Sequence, residues 1–322
     1  MLNIKNILKK ICFSVIKTTV FFLKKLKLEI FAFDRIISCI GKIQITLNRK
    51  RYSEVEDITE TEVKIFSQNG EDGIIDYLIN SLRIDKKNFV EIGVGNYRES
   101  NTRFLYNSYH PKGLIVDYID DMQKKVKQHL NFWKGDLRII NKQIDSENIL
   151  EVLSKGCDYE IDLFSIDIDS IDYWIIQKLK NNISKIFVAE YNPVFGSELE
   201  VSVPNISGFM RSQYHYSHLC YGMSLKALIN LMDKKGYYFI GSNTQKINAF
   251  FISKEFKKDV FFKNVKIKNL DDYTDSNIRD SRDANNNLNY LSGDMKFKEI
   301  ENCEVINLKD DKRELIKLKD LK

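Results

Sequence analysis

Short apolar segments alternate with amphipathic helical segments through the middle of the chain, and this alternation constrains the fold more than any other feature. The segments predicted as strands are 88–92, 114–116, 137–140, 162–168 and 185–190. The segments predicted as helices between them are 102–108, 121–131, 148–153 and 173–179. Strands that alternate with helices favour a parallel sheet with helices on both faces. The predicted fold class is therefore α/β.

Flanking segments extend this prediction at both ends. A helix is expected to begin at Ser67, whose side chain can cap it ahead of two acidic residues. After the fifth strand, a helix over 224–235 precedes two segments separated by a short polar turn, 237–241 and 247–252. These two segments are predicted to form an antiparallel hairpin at the edge of the sheet.

The N-terminal segment differs from the rest in charge. Residues 1–51 contain 12 Lys and Arg against two acidic residues, whereas the remaining residues contain 38 basic and 43 acidic ones. Apolar residues recur among the lysines at helical spacing, which predicts an amphipathic helix. No uncharged stretch is long enough to span a bilayer, and no signal-peptide cleavage site follows. Residues 1–50 are expected either to bind an anionic membrane surface or to pack on the body as an ordinary helix.

Composition sets further limits. The five cysteines are widely spaced and contain no CxxC pair, so neither a disulfide framework nor a structural zinc site is predicted. This usage is typical of a reducing compartment, and we expect a cytoplasmic protein. The acidic body disfavours nucleic-acid binding. The predicted organisation is a basic helical extension with a connector, an α/β domain and a polar C-terminal covering segment: 1–62, 63–256 and 257–322.

The first predicted strand ends in a glycine-containing loop with Glu91, Gly93 and Gly95. Ligands of doubly wound sheets bind at the carboxyl ends of the strands, where glycines let the backbone approach them closely. Asp117 ends the second strand, 22 residues after Gly95, where an acid can accept hydrogen bonds from a ribose diol. The third glycine of a dinucleotide fingerprint is missing near Arg98, which disfavours NAD and FAD.

Acidic side chains also follow the fourth and fifth strands. Asp167 and Asp169 alternate along one strand and are predicted to share a face, while Glu190 and Asn192 follow the neighbouring strand. Such a cluster could bind a hard cation such as Mg²⁺, hold sugar hydroxyls or supply a general base. The alternative is that Asp172 caps the next helix and the other acids satisfy loop amides.

Two histidines lie in an aromatic loop after the fifth strand, His215 and His218. Such a loop could cover an acceptor pocket, with either imidazole as a base. The sequence contains neither the GxSxG elbow of a serine hydrolase nor a phosphate-binding GxxxxGK[ST] loop.

Several segments in the same order resemble one bacterial family, the FkbM-like S-adenosylmethionine-dependent methyltransferases often encoded among surface-glycan genes. The segments that carry the resemblance are 66–75, 89–95, 162–174, 190–193, 221–225, 248–251, 279–282 and 291–293. The resemblance covers about residues 65–308 and excludes the basic extension. Ser170 departs from the family pattern, in which glycine is expected.

The resemblance implies a class I methyltransferase (Rossmann-like) sheet of seven mostly parallel strands. It also implies that S-adenosylmethionine is held by six residues: Gln68, Glu91, Gly93, Gly95, Asp117 and, on the adenine side, Asp145. The expected activity is O-methylation of a sugar hydroxyl in a bacterial surface glycan or its precursor, at the inner face of the plasma membrane. Two alternatives remain open, an NAD-dependent sugar oxidoreductase and a non-catalytic, membrane-associated glycan-assembly protein.

Overall fold

A computed structural model describes residues 2–130, 134–256 and 264–321. The strands of these described residues are β1 (Phe89–Ile92), β2 (Gly113–Asp117), β3 (Leu137–Asn141), β4 (Ile161–Ile166), β5 (Ser184–Glu190), β6 (Val201–Ser202), β7 (Tyr237–Ser242), β8 (Asn248–Ser253), β9 (Glu304–Asn307) and β10 (Glu314–Lys317). Within the same residues, seven strands form the main sheet in the order β3-β2-β1-β4-β5-β8-β7.

Strand direction identifies the fold. Strands β1 to β5 pair in parallel. Strand β8 is antiparallel to both β5 and β7, so the predicted edge hairpin is confirmed. The order of the strands reverses between β1 and β4, which places a ligand crevice at their carboxyl ends. This is the class I methyltransferase (Rossmann-like) fold that the sequence predicted.

Helices cover both faces of this sheet. The α-helices of the described residues are α1 (Leu2–Arg49), α2 (Glu71–Ser81), α3 (Arg103–Tyr109), α4 (Met122–Lys127), α5 (Ile149–Gly156), α6 (Asp172–Lys178), α7 (Arg211–Tyr214), α8 (Leu225–Lys234) and α9 (Asp294–Ile300). Phe89 packs in the core layer of α2, α3 and α4, whereas Val90 packs in the layer of α5, α6 and α8. Because consecutive strand residues face opposite helical layers, both must be apolar.

Two predicted helix boundaries are corrected. The helix predicted over 121–131 ends at Lys127, and residue 131 lies outside the described residues. Helix α2 begins at Glu71 rather than at Ser67, after Gly70 with a φ of +94°. The Asp72 carboxylate accepts the backbone N–H groups of residues 65–67 at 2.6–2.9 Å. This carboxylate folds the preceding segment back against the first turn, so Ser67 lies outside the helix.

The C-terminal part of α1 packs on the body. Its Ile45 is buried against Phe66 and Phe104. Asp34 accepts a hydrogen bond from Arg103 at 2.6 Å, and Arg49 lies 2.6 Å from the buried carboxylate of Asp76. Apolar contact and ion pairs together hold this half of the helix in place.

The preceding part of α1 extends away from these contacts. Phe13 and Phe21 are 60% and 65% exposed, and the apolar residues between them are exposed as well. No helix among the described residues is long and apolar enough to cross a membrane. The extension therefore exposes apolar side chains on a helix rich in lysine.

The segment after β8 returns across the carboxyl ends of the main sheet. Residues 257–263 lie outside the described residues. Beyond them, β9 pairs with both β6 and β10 in a three-stranded antiparallel sheet. The connection before α9 brings Ile278 and Asp280 to the ligand crevice. This part of the predicted covering segment thus contributes side chains to the site.

Candidate functional site

A cavity of about 540 Å³ lies at the carboxyl ends of β1, β2, β4 and β5. This volume lies within the range of roughly 300–1,000 Å³ that small-molecule sites occupy. The acidic side chains that line the cavity are Glu71, Glu91, Glu99, Asp117, Asp167, Asp169, Glu190 and Asp280. Among the described residues that line it, Arg211 is the one basic side chain. The cavity therefore favours a ligand with cationic or hydroxyl groups.

Gly93 connects the glycine loop directly to the end of β4. Its φ is +89°, and a Cβ atom at this position would lie 1.6 Å from the backbone oxygen of Asp167. The Gly93 N–H donates to the Val116 carbonyl at 2.9 Å, and the Asp167 N–H donates to the Ile92 carbonyl at 3.0 Å. The loop passes between β2 and β4 at a distance that only glycine permits.

Gly95 and Asp117 meet at adjacent strand ends. The Gly95 N–H donates to Asp117 Oδ2 at 2.5 Å, and the Tyr118 N–H donates to Oδ1 at 2.5 Å. A carboxylate has about four acceptor positions, so further positions on Asp117 stay open to a ligand. A Cβ atom on Gly95 would meet nothing within 4 Å, although its φ of +54° favours glycine. The space over this backbone is therefore accessible.

Glu91 lines the cavity and binds the loop that forms part of its wall. Its buried carboxylate accepts hydrogen bonds from the N–H groups of Asn101 (2.8 Å) and Thr102 (3.0 Å) and from the Ser100 hydroxyl (2.6 Å). Burial raises the pKa of Glu91, and these hydrogen bonds oppose the shift. Since its acceptor positions serve the loop over 100–102, Glu91 positions the wall of the cavity.

Three predicted carboxylates converge at the other side of the cavity. One oxygen each from Asp167, Asp169 and Glu190 lies within 4.8 Å of the other two. Glu190 is buried, and the two aspartates are half-buried. Burial, reinforced by mutual repulsion, raises the pKa of Asp167 and of Glu190 well above the ordinary value. Such a cluster can hold a proton or a cation.

Arg211 is a site residue that the sequence analysis missed. Its Nη1 donates to Asp169 Oδ1 at 2.8 Å, and its Nη2 lies 3.6 Å from Asp280 Oδ2. The guanidinium also lies over the Tyr221 ring, 5.2 Å from the ring centroid. These partners come from distant segments, and α7 carries no recognisable motif. The one sequence feature that could have pointed to Arg211 was its partner Asp280, which lies in a segment that carries the family resemblance.

Glu71 is the second site residue that the sequence analysis missed. The sequence indicated only that it is an acidic residue in the first turn of a helix. It is fully buried and lines the cavity. Its Oε1 accepts the side-chain amides of Asn243 and Asn248, each at 2.8 Å, and its Oε2 accepts the Asn69 N–H at 2.8 Å. Asn248 is 3% exposed, and no described residue forms a hydrogen bond with its Oδ1.

Asn192 and Asp145 are predicted site residues that do not line the cavity. The Asn192 amide is fully buried, donates to the carbonyls of Leu219 (2.8 Å) and Tyr221 (3.0 Å), and accepts the Val194 N–H. Asp145 accepts the N–H groups of residues 147 and 148 ahead of α5. The side chains of Asn192 and Asp145 both bind backbone groups. The structure therefore brings the three carboxylates together at the cavity without the Asn192 carboxamide.

The histidines and Gln68 occupy the periphery. His215 stacks on Tyr216 and shares a 2.7 Å hydrogen bond with the Ser217 hydroxyl. Burial raises the pKa of Asp169, and the nearby Arg211 and His218 oppose this shift. Neither histidine lines the cavity. Gln68 does line it, from the loop before α2 rather than from a helix, and its amide donates to Glu99 at 3.3 Å.

The turn after β4 accommodates Ser170 in place of glycine. The positive φ of this turn, +53°, falls on Asp169 instead. Asp172 accepts the N–H groups of Ile168 (3.2 Å) and Ser170 (3.1 Å). Burial raises the pKa of Asp172 to about 6. Asp172 therefore stabilises the turn. The alternative that it caps the next helix is wrong, because α6 begins at Asp172 itself, after Ile171, and no described side chain caps it.

Comparison with known proteins finds no matching family model and no matching curated protein. Among solved structures, the N-terminal domain of EvdMO1 with SAH bound is similar over 58% of this chain and 82% of its own, with 7% identity and a TM-score of 0.39. An S-adenosylmethionine-dependent methyltransferase from Clostridium acetobutylicum is similar over 67% and 99%, with 10% identity and a TM-score of 0.39. Human N-acetylserotonin methyltransferase in complex with SAM is similar over 56% and 52%, with 14% identity and a TM-score of 0.31.

Proposed function

We propose that this protein is an S-adenosylmethionine-dependent methyltransferase. The observation that carries the proposal is the meeting of the glycine loop with Asp117 at adjacent strand ends beside the cavity, where the Gly95 N–H binds the carboxylate. This is the position in a doubly wound sheet where an acid holds a ribose. The FkbM-like motifs in the same segments support the same cofactor.

The residues present fit this cofactor. Asp117 would accept the ribose hydroxyls, and Gly93 and Gly95 would provide close backbone contact. The open space over Gly95 is what a cradle for a bound ligand requires. Gln68 lines the same cavity and could contact the bound cofactor. Glu91 would act indirectly, because it holds the loop over 100–102 in place.

The carboxylate cluster would serve the acceptor. S-adenosylmethionine, when bound, supplies an activated methyl group. A sugar hydroxyl is a weak nucleophile at neutral pH, so a base must accept its proton as the bond to the methyl carbon forms. Asp167 and Glu190 have a raised pKa and line the cavity, which suits this role. His218, at the periphery, is the alternative base if the aromatic loop closes.

We assign the acceptor to the class of sugar hydroxyls in a bacterial surface glycan or its precursor. The support is the resemblance to the FkbM-like family, together with a cavity wall rich in carboxylates that can accept hydrogen bonds from hydroxyl groups. The proposal also places the protein in the cytoplasm, with α1 against the inner face of the plasma membrane. The basic charge and exposed apolar residues of α1 support this placement.

The test is a calorimetric titration of the full chain with S-adenosylhomocysteine, S-adenosylmethionine and NAD in turn. We expect saturable binding of both adenosyl compounds and none of NAD, because the dinucleotide loop lacks its third glycine. Binding of NAD without binding of S-adenosylhomocysteine would replace the proposal with an oxidoreductase.

A further inference from the structure

The three carboxylates at the ends of β4 and β5 have the spacing of ligands around one ion. Oxygen ligands on opposite sides of a cation are separated by twice the metal–oxygen distance, which is about 4.2 Å for Mg²⁺ and about 4.8 Å for Ca²⁺. The oxygens of Asp167, Asp169 and Glu190 all lie within 4.8 Å of one another. One oxygen from each could therefore bind the same ion without movement of the strands.

The charge of this cluster is incompletely balanced by the protein. Arg211 pairs with Asp169, but it is shared with Asp280. Within the described parts of the chain, no Lys, Arg or His lies within ion-pair distance of Asp167 or Glu190. A buried carboxylate beside a half-buried one, without a cation, is costly unless a proton or a metal ion lies between them.

Asn248 provides an independent observation. It is the direct cross-strand partner of Glu190 and lines the same cavity. Its amide nitrogen donates to Glu71, and this bond fixes the orientation of the amide because the reverse orientation would oppose two oxygens. Within the part of the chain that the structure describes, its Oδ1 is left without a hydrogen-bond partner although the residue is 3% exposed. A buried carbonyl oxygen with no donor is rare and is a good ligand for a hard cation.

We propose that Asp167, Asp169, Glu190 and the Oδ1 atom of Asn248 form a binding site for one hard divalent cation, of the class that includes Mg²⁺, Mn²⁺ and Ca²⁺. The site itself does not depend on the proposed methyl transfer. Its role does rest on that function, since a cation here would bind the acceptor hydroxyl and lower the pKa of that hydroxyl. The ion would thereby select acceptors that offer a hydroxyl oxygen to a metal.

The experiment titrates the full-length protein with Mn²⁺ alone, without cofactor or acceptor, and follows the electron paramagnetic resonance signal of the free ion. We expect one saturable site, from which excess Mg²⁺ or Ca²⁺ displaces the Mn²⁺. Asp167→Asn and Glu190→Gln should each weaken Mn²⁺ binding at least about tenfold, since even partners outside the ligand shell contribute that much. Asn248→Ala should weaken it as well.

The matched control is Asp145→Asn, which removes the same charge from a carboxylate outside the cavity and should leave the affinity for Mn²⁺ unchanged. Circular dichroism and thermal unfolding establish that each variant is folded. No saturable Mn²⁺ binding by the parent at millimolar concentration, or equal binding by the parent and Glu190→Gln, would overturn the inference. A parallel titration with S-adenosylhomocysteine separates this result from the proposed function, because either ligand can fail to bind while the other binds.

Discussion

A Cβ atom on Gly93 would lie 1.6 Å from the backbone oxygen of Asp167, so the glycine loop and the carboxylate cluster are built against each other. Gly93 belongs to the proposed cofactor side of the cavity and Asp167 to the proposed acceptor side. A change at this contact must displace one of the two loops. The contact therefore makes the two halves of the site depend on one another.

Substitution of the two loop glycines should have different effects. Gly93→Ala should lower the free energy of unfolding by at least about 3 kcal/mol, because the new methyl group overlaps backbone that cannot move aside. Gly95→Val should cost only about 1–2 kcal/mol, from its positive φ alone, yet it should abolish binding of S-adenosylhomocysteine by filling the open space. Urea unfolding and calorimetry measure the two effects. Equal stability of Gly93→Ala and the parent would contradict the described contact.

The carboxylates should affect turnover more than cofactor binding. Asp167→Asn and Asp169→Asn are each expected to reduce methyl transfer by about a hundredfold or more, because an amide can neither accept the hydroxyl proton nor balance a cation. Affinity for S-adenosylhomocysteine should change much less. The measurements are initial rates with a sugar acceptor and calorimetry, with a chelator added to separate the metal from the base. A double variant that methylates at the parent rate would remove these residues from the chemistry.

His129 should make stability depend on pH. The ring is buried, its Nδ1 has no hydrogen-bond partner among the described residues, and burial beside Arg103 lowers the pKa of His129 to about 4. Between pH 4 and pH 6.5 the unfolded chain thus binds more protons than the folded one, so stability contributed by the neutral ring is lost as pH falls through this window. The free energy of unfolding should fall by about 2 kcal/mol across this window, after allowance for solvent screening.

The measurement for His129 is the free energy of unfolding of the parent and of His129→Gln at intervals across that pH range. The difference in stability between the two proteins should change steadily between pH 6.5 and pH 4. A difference that stays constant over the whole range would show that the ring has the same pKa in the folded and the unfolded chain, which contradicts the prediction.

Helix α1 should bind anionic lipid vesicles through electrostatic attraction. Each basic residue near such a surface contributes about 1 kcal/mol, so binding should weaken as salt concentration rises. A variant with Lys24→Glu and Lys25→Glu should bind less than the parent in vesicle sedimentation. The control carries the same charge change on exposed lysines of the body, at Lys124 and Lys155. Equal sedimentation with neutral and anionic vesicles would instead favour a helix whose role is to pack on the body.

Local sequence patterns predicted the sheet well, because each strand is apolar on both faces and each crossover helix has its own amphipathic period. The same patterns placed the start of α2 at Ser67, since a capping residue is recognisable locally. The position of the true start depends on the long-range fit of α2. A Cβ atom on Gly73, for example, would lie 1.9 Å from the Thr61 carbonyl oxygen.

The candidate site likewise contains some residues that the sequence could predict and others that it could not. Asp117, Asp167 and Glu190 could be found because strand ends of a parallel sheet share one edge. Arg211 could not, since its role depends on contacts with Asp169 and with Asp280, which come from distant segments of the chain. The sequence also did not show that the Asn192 amide would donate to the backbone carbonyls of Leu219 and Tyr221 instead of lining the cavity.

Cofactor binding at Asp117 can be tested by comparison with Asp145, a second aspartate near the end of a strand of the sheet. Calorimetric titration with S-adenosylhomocysteine should show that Asp117→Ala weakens binding by about a hundredfold, equivalent to about 3 kcal/mol for two charge-assisted hydrogen bonds. Asp145→Ala should bind S-adenosylhomocysteine as the parent does, because that carboxylate holds the turn ahead of α5, outside the cavity. Parent-like affinity in Asp117→Ala, or a loss confined to Asp145→Ala, would contradict the account and place the cofactor elsewhere.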